Sequence, residues 1–167
     1  MIGGIYFQGF SLMLKFLFRI WRLLPVKLQI IASRLIRPLF QVFAAAVILD
    51  HDRRILLVRT TYQRVHPWGL PGGGLEYGED PEDAVRREVW EETGLRVEVV
   101  RLLIANSWRP DRVGIYYLCA VREGEFQPSA EVAEIGFFPL DQLPDVRPID
   151  IPMLTYLYEL VGDYELA

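Results

Sequence analysis

The chain has 167 residues and a net charge of −4, with 51% hydrophobic and 24% charged residues, which suits one domain of ordinary size plus an appendage. Six basic residues (Lys15, Arg19, Arg22, Lys27, Arg34, Arg37) and no acid fall in the first 49 positions, so the remainder carries −10; a basic, apolar arm on an acidic body excludes a general nucleic-acid binder, whose working face is positive. The lone cysteine, Cys119, excludes a disulfide framework and a cysteine-rich zinc site, and it fits a reducing cytoplasm.

Residues 1–39 read as a helical basic-apolar arm. The uncharged run Ile2–Leu14 is 13 residues long and is interrupted by Gly3, Gly4 and Gly9, which is too short for a bilayer span. No small-residue cleavage site follows it, so a secretory signal is also excluded. From Leu12 to Leu24 the basic residues Lys15, Arg19 and Arg22 recur at i, i+4 and i+7, a stripe on one helical face, with Leu, Phe, Ile and Trp21 around the rest. Pro25 breaks this helix, and a second segment carries Lys27, Arg34 and Arg37. Two readings follow for residues 12–37. One is a helix lying in a membrane interface, at the inner face. The other is a hairpin packed on the domain or on a second subunit.

The main domain is expected over residues 40–167. Phe40–Leu49 is a nearly continuous apolar run, suited to a strand buried on both faces. Asp50–Arg53 is a turn and Ile55–Val58 a returning strand, a pair expected to form a hairpin. Thr60–Pro67 is a polar loop leading to Trp68-Gly69-Leu70-Pro71. Strands are expected at Val97–Ile104 and Val113–Val121, the latter pointing Tyr116 and Tyr117 to opposite faces. An acidic loop, Ser129–Glu134, precedes a short strand, Ile135–Phe138; a helical turn follows at Asp141–Leu143. A last helix begins at Pro152 and stops before Gly162. Strands, helix, strands and helix in that order predict an α/β sandwich with a mixed sheet between helices.

The chemistry concentrates between Gly72 and Leu95. Asp80 followed by Pro81 is a helix start, and Gly94 a helix stop, so Pro81–Thr93 should be helical. Within it Glu88, Glu91 and Glu92 stand at i, i+3 and i+4, which stacks three carboxylates on one face. Arg87 relieves only part of their repulsion. A hard divalent cation, Mg²⁺ or Mn²⁺, would relieve more. The preceding Gly72-Gly73-Gly74 allows close backbone approach, so loop and helix together describe a metal–phosphate site.

These residues match the Nudix box, G-x5-E-x7-R-E-U-x-E-E-x-G-U, at Gly73, Glu79, Arg87, Glu88, Val89, Glu91, Glu92, Gly94 and Leu95. The chain thus resembles the Nudix hydrolases, over about residues 40 to 143 when flanking pattern is included. The resemblance implies an α/β/α fold and hydrolysis of a nucleoside diphosphate linked to another moiety. It assigns the divalent cation to Glu88, Glu91, Glu92 and the carbonyl of Gly72. Water attacks phosphorus in such a site, and the cation neutralises charge and acidifies the water.

Roles for individual residues follow. Arg87 is expected to hold a carboxylate by charge-assisted hydrogen bonds, or else to touch phosphate, and Glu79 to orient Arg87. A carboxylate must act as base: Glu91 or Glu92 within the box, Glu131 or Glu134 outside it. The spacing of a loop glutamate in some relatives favours Glu131. Arg64, Trp68, Gly73, Gly74 and Trp108 are expected to meet the substrate, with Tyr62, Arg109 and Tyr117 as further surfaces and His66 at the border. Pro110, 15 residues beyond Leu95, resembles a tendency of ADP-ribose-cleaving members and sets ADP-ribose or a nucleotide sugar level with a modified nucleoside triphosphate. A non-catalytic nucleotide-binding module is the alternative. An isoprenoid-diphosphate isomerase of the same fold would need a cysteine at the site, where Cys119 is poorly placed.

Overall fold

A computed structural model of the chain describes residues 15–36 and 40–162. The expectations for the Ile2–Leu14 run, for Arg37 and for the side chains of Arg34 and Arg109 lie outside what is described. The chain divides into two units, Met1–Leu39 and Phe40–Ala167. In the first, helix α1 covers residues 15–23 and helix α2 runs over Val26–Ile36, separated at Pro25. No helix among the described residues is long and apolar enough to cross a bilayer.

The second unit is built on seven strands and two helices. The strands are β1 (Gln41–Ile48), β2 (Ile55–Thr60), β3 (Trp68–Gly69), β4 (Gly72–Gly74), β5 (Arg96–Arg109), β6 (Arg112–Glu123) and β7 (Val132–Phe138). Helix α3 spans Pro81–Thr93 and α4 spans Ile151–Val161. A four-stranded mixed sheet has the order β4-β1-β6-β5, with β1 and β6 parallel and the outer pairs antiparallel. A three-stranded antiparallel sheet has the order β3-β2-β7.

Side chains alternate across β1 and β6, so each strand supplies two cores. Ala45, Val47, Tyr116 and Leu118 pack with Ile55, Leu57 and the α4 residues Leu154, Leu157 and Val161. Ala44, Ala46, Ile48, Tyr117 and Cys119 pack with Leu56 and the α3 residues Ala84, Val85 and Val89. The strands are therefore sandwiched between two helices, as expected.

Two expectations change. Asp50–Arg53 does turn the chain, with Asp50 N–H donating to the Arg54 carbonyl at 3.0 Å. The flanking strands nevertheless join only through the bridge Leu49–Ile55 and then diverge into different sheets. The reason is that β6 takes the hydrogen-bonding edge of β1 from Gln41 to Ile48, while β7 takes that of β2. The glycine run, expected as loop, is strand β4, with Gly73 opposite Ala44. Glycine is demanded there: a Cβ on Gly72, at φ +147°, would stand 2.3 Å from the Ala44 carbonyl oxygen.

Candidate active site

Local signals place α3. Asp80 Oδ1 accepts from the Glu82 N–H at 3.1 Å, Pro81 occupies the first turn, and Gly94 closes the helix at φ 74° with its N–H on the Trp90 carbonyl at 2.8 Å. The buried face runs Ala84, Val85, Val89, Glu92 and Thr93. Glu92 thus continues the stripe that packs on the sheet, and for that reason the residue is only 9% exposed.

Arg87 organises the other carboxylates. Its Nε and Nη2 donate to the two oxygens of Glu79 at 2.8 and 3.0 Å, a bidentate pair. Nη1 donates to Glu88 Oε1 at 2.8 Å and to Glu91 Oε2 at 3.2 Å, and Nη2 also reaches the Gly74 carbonyl at 3.1 Å. Glu79 additionally accepts the Glu76 N–H at 2.9 Å. The Arg87 guanidinium, helped by that N–H, holds the Glu79 carboxyl down at about 2. Glu79 also keeps Arg87 firmly protonated. With all these bonds made, Arg87 is a clamp on carboxylates.

Glu92 is held differently. Its Oε2 accepts the Gly72 N–H at 2.9 Å, which ties α3 to β4. Burial pushes its carboxyl up to about 8, against the pull of that N–H, and the negative charges of Glu88, Glu131 and Glu91 push the same way. Glu88 sits over Gly73, where a Cβ would fall 2.4 Å from its carboxylate, so the missing side chain makes room for that oxygen pair. Among the described residues no three acidic, His or Cys side chains are already gathered round one point. Yet oxygen-only donors, a buried carboxyl short of positive charge and the glycine cradle fit a hard divalent cation.

Two cavities meet at Glu92. A pocket of about 230 Å³ is lined by Glu88, Glu91, Glu92, Ser129, Ala130 and Glu131. The loop bearing Glu131 is fixed: the Glu131 carbonyl accepts the Thr61 N–H at 2.8 Å, and Ser129 Oγ accepts the Val132 N–H at 3.0 Å. Glu134 lies on β7 and pairs with Arg59 at 2.8 Å, across from β2. Of the two candidate bases outside the box, only Glu131 lines the acidic pocket.

The second cavity, about 580 Å³, runs from Glu92 past Gly72–Gly74, Trp68 and Tyr62 to Trp108, Tyr116 and Met153. Trp68 packs edge-on against Phe138 with ring centroids 5.0 Å apart, and Trp108 against Tyr156 at 5.7 Å. Tyr116, not Tyr117, faces this cleft; its hydroxyl donates to Met153 Sδ at 3.1 Å, while Tyr117 packs beneath α3. Arg64 lines neither cavity and is exposed in the loop between β2 and β3. His66 is in the same loop, its Nδ1 lying 2.5 Å from Asp145 Oδ1, and it too lies off the cleft. Gln63, Arg112, Arg147 and Asp150 line the cleft and had no sequence signal for the site, being isolated polar residues in a loop, at a strand end and around the 3-10 turn Pro148–Asp150. Cys119 lies fully buried outside both cavities, and burial lifts its thiol to about 12.

The family model of the NUDIX domain matches residues 39–157. A MutT-like protein of Streptomyces ambofaciens is 37% identical over 127 residues, covering 75% of this chain and 80% of that protein. The NAD-capped RNA hydrolase NudC of Chromobacterium violaceum is 31% identical over 73% of this chain, and the chain spans about half of it, 48%. The crystal structure of an ADP-ribose pyrophosphatase from Streptococcus suis superposes with a TM-score of 0.65 at 32% identity, over 75% of this chain and 93% of that one.

Proposed function

Since the chain belongs to the NUDIX family and is a hydrolase of diphosphate bonds in nucleotide derivatives, we propose that cleavage takes place where its two cavities meet at Glu92, with Mg²⁺ as the working cation. The single observation that carries this reading is the double position of Glu92. One buried carboxyl borders both an acidic pocket suited to a cation and a long cleft suited to a nucleotide.

Glu88, Glu91, Glu92 and the Gly72 carbonyl would hold the cation. Bound there, it neutralises diphosphate charge and lowers the pKa of water. The chain's own groups do the rest. Arg87 orients Glu88 and Glu91 and keeps their repulsion in check. The Gly72 N–H fixes the Glu92 carboxyl at Oε2. Glu131, on its pinned loop, takes the proton of the water that attacks phosphorus in line, and no covalent enzyme intermediate forms. The glycines of β4 let phosphate approach backbone, and Trp68 and Trp108 offer ring faces and edges to base or sugar. The buried, unbridged Cys119 fits work in a reducing cytoplasm.

The substrate class is a nucleoside diphosphate joined to a second moiety: ADP-ribose, a nucleotide sugar or a modified nucleoside triphosphate. The test is a panel of these with Mg²⁺, separating products by chromatography. Release of a nucleoside monophosphate with a phosphorylated second half, or of pyrophosphate from a triphosphate, is expected. Tight nucleotide binding without turnover of any member would instead support a non-catalytic regulatory module.

A further inference from the structure

We infer that the helical arm lies in the headgroup layer of an anionic phospholipid bilayer. On α1 the basic residues Lys15, Arg19 and Arg22 fall within an arc of roughly 60° at 100° per residue. The rest of the circumference is apolar and exposed to an unusual degree: Leu23 is 81% and Phe16 and Phe18 each 64% exposed. On α2 the exposed Val26 and Ile31 accompany Lys27.

Three features favour a lipid surface over a protein one. A helix packing on a single globular partner needs an apolar stripe of about 100°, and here more than half the circumference is apolar, which a surrounding lipid phase accommodates. The first 49 residues hold six cations and no anion, so two copies of this arm would set like charges together, whereas anionic headgroups complement all six. The bend at Pro25 is also dressed for a water-poor setting. Gln29 Nε2 donates to the Leu24 carbonyl at 2.9 Å and to the Trp21 carbonyl at 3.0 Å, which also accepts the Leu24 N–H at 3.2 Å, so both carbonyls at the break are satisfied within the arm.

The test floats the full chain on vesicles of phosphatidylcholine alone or mixed with phosphatidylglycerol, at low and high salt. Binding to the anionic vesicles, weakened by salt, is expected. Each basic residue contributes about fivefold to the partition, so the combined Lys15→Gln, Arg19→Gln and Arg22→Gln variant should bind on the order of a hundredfold more weakly. Phe16→Ser with Phe18→Ser should release the protein from the anionic vesicles. Hydrolase activity toward a soluble substrate, unchanged in both variants, would show that the loss is not a folding failure. Three results would overturn the inference: no flotation with anionic vesicles at low salt, equal binding to neutral vesicles that the charge variant does not change, or dimerisation through α1 without vesicle binding.

Discussion

Three residues give separable tests of the proposed site. Glu92→Gln can no longer ionise, but its amide oxygen still accepts the Gly72 N–H, so turnover should fall by about 10² to 10⁴ while the melting temperature holds or rises. Steady-state kinetics beside thermal melting checks both halves. Gly73→Ala is a purely steric probe. The new methyl would land 2.4 Å from the Glu88 carboxylate and drive it aside, so activity should drop roughly 10- to 100-fold with an unaltered circular dichroism spectrum. Glu79 offers a pH probe. Its folded value of about 2 lies below the unfolded 4.5, so the folded state binds fewer protons in that window. The stabilisation it confers is complete above about 4.5 and disappears as pH falls through 2. Glu79→Gln should therefore flatten the acid limb of a stability curve between those two values, and an unchanged limb would deny the pairing with Arg87.

At the level of the element, α3 was readable because its limits are written in adjacent residues. Cap, proline and C-terminal glycine need no knowledge of the rest of the chain, and the helix runs over Pro81–Thr93 as those residues dictate. The carboxylate face followed from spacing for the same reason. Strand pairing was not readable in this way. Val47 or Leu56 reports burial, but not which backbone edge it meets, so the β1–β2 connection looked like a hairpin. Gly72–Gly74 has no side chains to show a period of two, and so a strand passed for a loop. The cleft residues Gln63, Arg112 and Arg147 stand far apart in the chain and meet only after folding. The cap is itself testable: Asp80→Ala should cost about 1 kcal/mol and lower the melting temperature by about 3 °C, measured by calorimetry.

On the scale of the whole molecule, the arm and the hydrolytic unit follow different rules. The family match begins at residue 39 and the second unit at Phe40, with both cores and both cavities drawn from residues beyond that point. A chain reduced to residues 40–167 is expected to stay folded and to turn over soluble substrate at the full-length rate. Loss of its cooperative melting transition would show that the arm supplies core. Within the hydrolytic unit, a single acidic side chain serves as the party wall between two rooms. Lineages could therefore refurnish one room, around Trp108, Tyr62 and Arg147, and so change diet without disturbing the machinery next door.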